Sequence, residues 1–81
     1  MKARDQLVDL VEGTVVVGLS YTGGASVNLL LEVPVPERPP VMRARVFRRF
    51  EIGSDIPDHY RYVGHKRVGP TTVFVYERLK P

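Results

Sequence analysis

The chain contains no cysteine and no tryptophan, and it has only two histidines. Without cysteine there are no disulfides and no thiolate metal sites. Two histidines cannot hold a structural zinc ion without carboxylates, so neither a metal nor a cofactor is expected. Long apolar runs are also missing. The longest, Val27 to Val35, is broken by Asn28, Glu32 and Pro34, far short of the roughly 20 apolar residues that cross a bilayer. The opening MKARDQLVDL sets acidic residues inside its apolar part, which argues against a secretory signal. With no cysteine either, a cytoplasmic location is expected. Catalytic signatures are absent as well. No G-x-S-x-G elbow or dinucleotide fingerprint occurs, and Gly23-Gly24 feeds a strand rather than the helix a phosphate loop requires. Ser54, Asp55, Asp58 and His59 supply hydrolase-like residue types in a single turn, whereas catalytic triads assemble from distant segments. Backbone capping explains them, and no catalytic residue is assigned.

The 81 residues, 43% hydrophobic and 26% charged, have ordinary globular composition and suffice for one domain with a small core. The net charge of +3 is uneven. Residues 1–32 carry two basic and four acidic groups, giving −2, and residues 33–81 carry ten basic and five acidic, giving +5. Whatever the basic groups serve lies in the second half.

In chain order, residues 3–12 (ARDQLVDLVE) place Ala3, Leu7, Leu10 and Val11 on one helical face, with Gly13 as the stop. A hairpin over 14–33 follows, turning at Thr22-Gly23-Gly24. Residues 34–40 hold four of the seven prolines and read as a rigid crossover. Strands are expected at 41–52, 59–68 and 71–79, with Gly64 marking a bulge or a close approach. The expected fold is α+β: a short N-terminal helix with a five-stranded, mainly antiparallel sheet or a partly open small barrel, forming one domain over 1–81. The core expected from alternation is Leu7, Leu10, Val15, Val17, Leu19, Val27, Leu29, Leu31, Val46, Phe50, Val73 and Val75. On the first hairpin strand the odd residues are taken as inward, because Gly18 leaves a gap on the other face.

The segment VMRARVFRRF, residues 41–50, carries four of the nine arginines. As a strand it turns Met42, Ala44, Val46, Phe50 and Ile52 one way and Arg43, Arg45, Phe47 and Arg49 the other. The apolar set is taken as buried and the arginine set as displayed. The next strand adds Arg61, His65 and Arg67, taken as one parity, or Tyr60, Tyr62 and Lys66 on the other, and Arg61, Tyr62, His65 and Arg67 are counted with the expected surface. Arginine forks bind phosphate, and rings between them give bases a face to stack on. Arginine and tyrosine are also enriched at protein interfaces. Arg48 falls among apolar neighbours, which suggests a bulge at Arg48-Arg49 or a partner such as Glu77 or Asp55.

Two resemblances add to this reading. LVDLVEGTVVVGL and the later VNLLLE resemble the helix, first strand and Asn-Leu element of Sm-like RNA-binding barrels, whose order is also a helix and five strands. Those proteins have two strands before the Asn-Leu element where this chain has one, and no site residue transfers. FEIGSDIPDHYRYVGHKRVGPTTVFVYERL is similar to small bacteriophage accessory proteins, which implies a non-enzymatic protein that acts by binding. The expected function is therefore a non-catalytic module docking on a protein partner. The alternative is a nucleic-acid-binding module using Arg43, Arg45, Phe47 and Arg49, and a homodimer through a sheet edge is a further expectation.

Overall fold

The computed structural model describes residues 5–21, 27–35 and 39–79. Six strands follow in order: β1 (Gln6–Val11), β2 (Val15–Tyr21), β3 (Val27–Glu32), β4 (Met42–Glu51), β5 (Tyr60–Val68) and β6 (Thr71–Arg78). They form a four-stranded sheet ordered β1-β4-β6-β5 and a two-stranded sheet β2-β3, antiparallel throughout. The α+β expectation is overturned: among the described residues there is no helix, and strands number six rather than five.

The correction centres on β1, where a helix over 3–12 is expected. Residues 3 and 4 lie outside the described residues; Gln6 to Val11 pair with Phe47 to Met42 along the edge of the large sheet. The pattern LVDLV serves either period, since Leu7, Leu10 and Val11 share a helical face while Val8 and Leu10 share a strand face. A helix of three turns is marginal without tertiary support, and six cross-strand pairs decide the matter. Gly13, at φ 90°, then turns the chain away from the large sheet in a conformation that side chains disfavour. The expected turn at Thr22 to Gly24 lies outside the described residues, as do residues 36–38 of the proline-rich segment. No described helix is long and apolar enough to cross a membrane.

The β2-β3 hairpin covers one face of the large sheet. Leu10, Phe47 and Val75 are buried there, with Val8, Val16, Leu19, Leu29, Val63 and Val73 packed against them. A register shift between Val16 and Gly18 changes the parity of β2, so Val16 and Leu19 both reach the core. Val15 and Val17, expected inside, are 53% and 59% exposed, and Leu7 is 69% exposed. Leu31, also expected inside, sits at the margin with 36% exposure. A second shift, between Tyr62 and Gly64 of β5, occurs where the glycine suggests one. A side chain at Gly64 would begin 3.5 Å from Leu19, so the glycine also lets β2 approach β5.

Candidate functional site

Register assigns every side chain of β4 to a face. Phe47 lies opposite Glu77 and Arg49 opposite Val75, in the row that faces the β2-β3 hairpin. Phe47 is 5% exposed and belongs to the core. The row Arg43, Arg45, Phe47, Arg49, expected to be displayed, is thus the inner row of the sheet.

Arg45 shows how a guanidinium is accommodated there. It donates from Nε and Nη2 to the two carboxylate oxygens of Glu77, each at 2.7 Å, and from Nη1 to the carbonyl of Thr14 at 2.7 Å. Such a fork-on-carboxylate pair is the strong form of an ion pair. Glu77 is itself buried, and Arg61 approaches it at 3.4 Å from a more exposed position. The hydrogen bond from Arg45 holds the Glu77 carboxyl below its ordinary range against the opposing effect of burial, and the charges of Arg45 and Arg61 assist. Glu77 in turn raises Arg45, again against burial. Arg43 reaches Glu12 at 3.0 Å in an exposed pair, and Arg49 is exposed.

The opposite face carries Val46, Arg48 and Phe50 of β4 beside Arg78, Tyr76 and Phe74 of β6. Tyr60, Tyr62, His65 and Arg67 of β5 continue the row, opposite Arg78, Tyr76, Phe74 and Thr72. No described element lies over this face. Its aromatic rings bury one another instead. Phe50 meets Tyr60 and Tyr76 edge to face, with centroids at 5.5 and 5.4 Å, and Tyr76 meets Tyr62 at 5.6 Å. His65 continues the row, stacking obliquely on Phe74 at 5.7 Å and hydrogen-bonding the Tyr62 hydroxyl through Nδ1. Geometry of this kind adds about 0.5–1.5 kcal/mol per pair beyond area burial. The result is a self-supporting aromatic ladder, with Phe50 buried and Tyr62 half exposed.

Arg48 belongs to this face, and it needs no bulge. The pairing of β4 is continuous with both neighbours. Its partner is neither Glu77 nor Asp55 but Asp5, 2.7 Å from Nε. Asp5 also accepts from the Tyr60 hydroxyl at 2.8 Å and from Arg78 at 3.1 Å. The Arg48 guanidinium stands over the rings of Tyr60 and Phe50 at 5.2 and 5.8 Å. Burial raises the Asp5 carboxyl, but the hydrogen bonds from Tyr60 and Arg48 and the charges of Arg48 and Arg78 outweigh it and leave Asp5 below its usual value. Burial and the bond to Asp5 push the Tyr60 phenol up.

The eight expected surface residues are therefore divided. Arg43, Arg45, Phe47, Arg49 and Arg61 belong to the inner row, and Tyr62, His65 and Arg67 to the outer one. Sequence reasoning misses Arg48, Phe50, Tyr60, Tyr76 and Arg78 of the outer face. The period-2 rows Tyr60-Tyr62 and Phe74-Tyr76 held the signal, since two aromatic rows on adjacent strands of one parity make a ladder. Beside them, Phe50, Ile52, Ile56, Phe74 and Tyr76 line an open cleft of about 210 Å³. Ser54, Asp55, Asp58 and His59 stand on the exposed connection between β4 and β5, where the His59 ring packs on Tyr60.

The architecture is that of a small all-β, two-sheet module with one face covered and one face open. No protein-family model, curated protein sequence or solved structure matches the chain.

Proposed function

We propose that the protein is a small non-catalytic binding module that docks on a protein partner through the outer face of its four-stranded sheet. The phage-type accessory role implied by the resemblance of FEIGSDIPDHYRYVGHKRVGPTTVFVYERL agrees with a binding role of this kind, and the lack of cysteine suits a reducing compartment such as the cytoplasm. One observation carries the reading. An uncovered face presents Tyr62, Tyr76 and an apolar cleft, while its Arg48 and Arg78 are both tethered to Asp5. Rigid aromatic anchors with tethered arginines are the composition of protein interfaces. A phosphate-binding surface needs cations without carboxylate partners, and Arg43, Arg45, Arg48, Arg61 and Arg78 all have such partners.

The test is affinity capture from the native host followed by mass spectrometry, with wild-type protein and a Tyr62→Glu variant as baits. A protein retained by wild type and lost from Tyr62→Glu supports the docking face. The nucleic-acid alternative is tested in parallel with fluorescent single-stranded oligonucleotides. Binding that falls steeply with salt and is lost with Arg67→Glu would overturn the protein-docking reading.

A further inference from the structure

The two borders of the large sheet differ in charge. β1 and β5 are its edge strands, so each has one side of its backbone outside any described ladder. From Asp5 to Glu12 the β1 segment has three carboxylates and no cation; β5 has Arg61, His65, Lys66 and Arg67 and no carboxylate. Asp5 and Glu12 are engaged with arginines of their own sheet. Asp9, opposite Ala44 on the outer face, has no polar partner among the described residues. Arg67 is on the same face, opposite Thr72, and its Nε makes only a 3.4 Å contact with the Gly69 carbonyl.

We propose that the chain assembles head to tail, with β1 of one copy pairing with β5 of the next to extend the sheet. Direction supports this. Four strands in strict antiparallel alternation mean that a copy displaced sideways brings its β1 antiparallel to the first copy's β5, with the same face outward. The alternation simply continues across the junction. Length supports it too. The bulge at Val63 leaves Gly64 to Val68 as a regular run of five residues beside the Gly69-Pro70 turn, matching the five of Leu7 to Val11. In the registers that keep the outer faces aligned, Asp9 stands opposite or diagonal to Arg67, within reach of cross-strand pairing. Exposed Leu7 (69%) and half-exposed Tyr62 (50%) lie near the two edges on that face and gain apolar neighbours.

Charge selects against the symmetric alternatives. Two β5 edges would set the cationic stretch with Arg61, Lys66 and Arg67 against the same stretch of a second copy, and two β1 edges would set Asp9 against a second acidic edge. Like charges facing across a strand pair destabilise it. A heterologous contact of this type closes into a ring or continues as a filament. Either form sets the aromatic ladders of successive copies side by side.

Sedimentation velocity tests the proposal. Wild-type protein is expected to show a mass above the 9.2 kDa monomer that rises with concentration and falls with added salt. Asp9→Lys alone, and the double variant Lys66→Glu/Arg67→Glu alone, are each expected to remain monomeric. Their equimolar mixture is expected to regain assembly, because each chain supplies the edge the other lacks. The substitutions are at exposed positions, and an unchanged β-type circular dichroism spectrum confirms folding. Wild type that stays monomeric at every concentration overturns the proposal and leaves the edges to strands of another protein. Asp9→Lys that assembles by itself overturns it equally and points to a symmetric contact, and a mixture that stays monomeric overturns it as well.

Discussion

Replacing Glu77 by alanine is expected to unfold most of the protein at 25 °C. Glu77 is 8% exposed and is the carboxylate on which both the Arg45 fork and Arg61 converge. Its removal leaves the Arg45 guanidinium between the two sheets with the Thr14 carbonyl as its one hydrogen-bond acceptor among the described residues, beside the Phe47 ring at 5.5 Å. Breaking a buried pair by deleting one partner costs about 3–5 kcal/mol, as much as a core of this size typically retains in total, about 3–5 kcal/mol. Arg43→Ala provides the contrast. Its pair with Glu12 is more than half exposed on both sides, so its loss is expected to cost less than about 1 kcal/mol. Urea denaturation followed by circular dichroism separates the two cases, and equal effects would contradict the inward placement of Arg45.

Acid should attack the same pair. Glu77 and Asp5 are held below their ordinary values of 4.5 and 3.8, so the unfolded chain takes up protons at higher pH than the folded one. The stability they contribute is complete above the unfolded values and is lost as pH falls through the folded ones. Wild-type stability should therefore decline below about pH 4.5.

The second large effect is expected at Phe47. Phe47→Ala removes a ring that is 5% exposed at the centre of the inner core, and such truncations cost about 3–5 kcal/mol through lost burial and a residual cavity. Tyr62→Ala removes a ring of similar size that is half exposed and held by Tyr76 and His65. It is expected to cost about 1 kcal/mol. The same urea titration ranks them. A larger effect at Tyr62 than at Phe47 would mean that the covered and open faces had been exchanged.

Strand positions were legible because β-branched and aromatic runs bounded by glycine and proline are local signals. β2 to β6 begin and end within two residues of the segments the pattern predicts. Facing was less legible. Both rows of β4 mix aromatic residues with arginine, so hydrophobicity alone favoured Met42, Ala44, Val46 and Phe50 as the buried row. The deciding fact is long-range: Glu77 ends the row Val73-Val75-Glu77, and a carboxylate in an apolar row calls for a cation beside it, which Arg45 provides from the diagonal position on β4. In β2 the bulge at Val17 is hidden because Val15, Val16 and Val17 are identical, so the change of parity left no trace in composition. β1 was mistaken for a helix because its apolar residues satisfy both periods and its partner strand lies more than 30 residues away. Of the candidate site, Tyr62, His65 and Arg67 are expected at the surface, but beside the arginine row of β4, which lies on the other face. Arg48 and Arg78 were not legible, because their anchor, Asp5, is 43 and 73 residues distant in sequence.

Which face of β4 is covered is the point on which the rest of the account depends. Nuclear Overhauser contacts from the Phe47 ring in solution report it directly. Cross-peaks to the methyl groups of Leu19 and Leu29 are predicted, with none to the ring of Tyr60. Cross-peaks from Phe47 to Tyr60 or Tyr76 instead would contradict the account, since they would place the arginine row of β4 on the aromatic face.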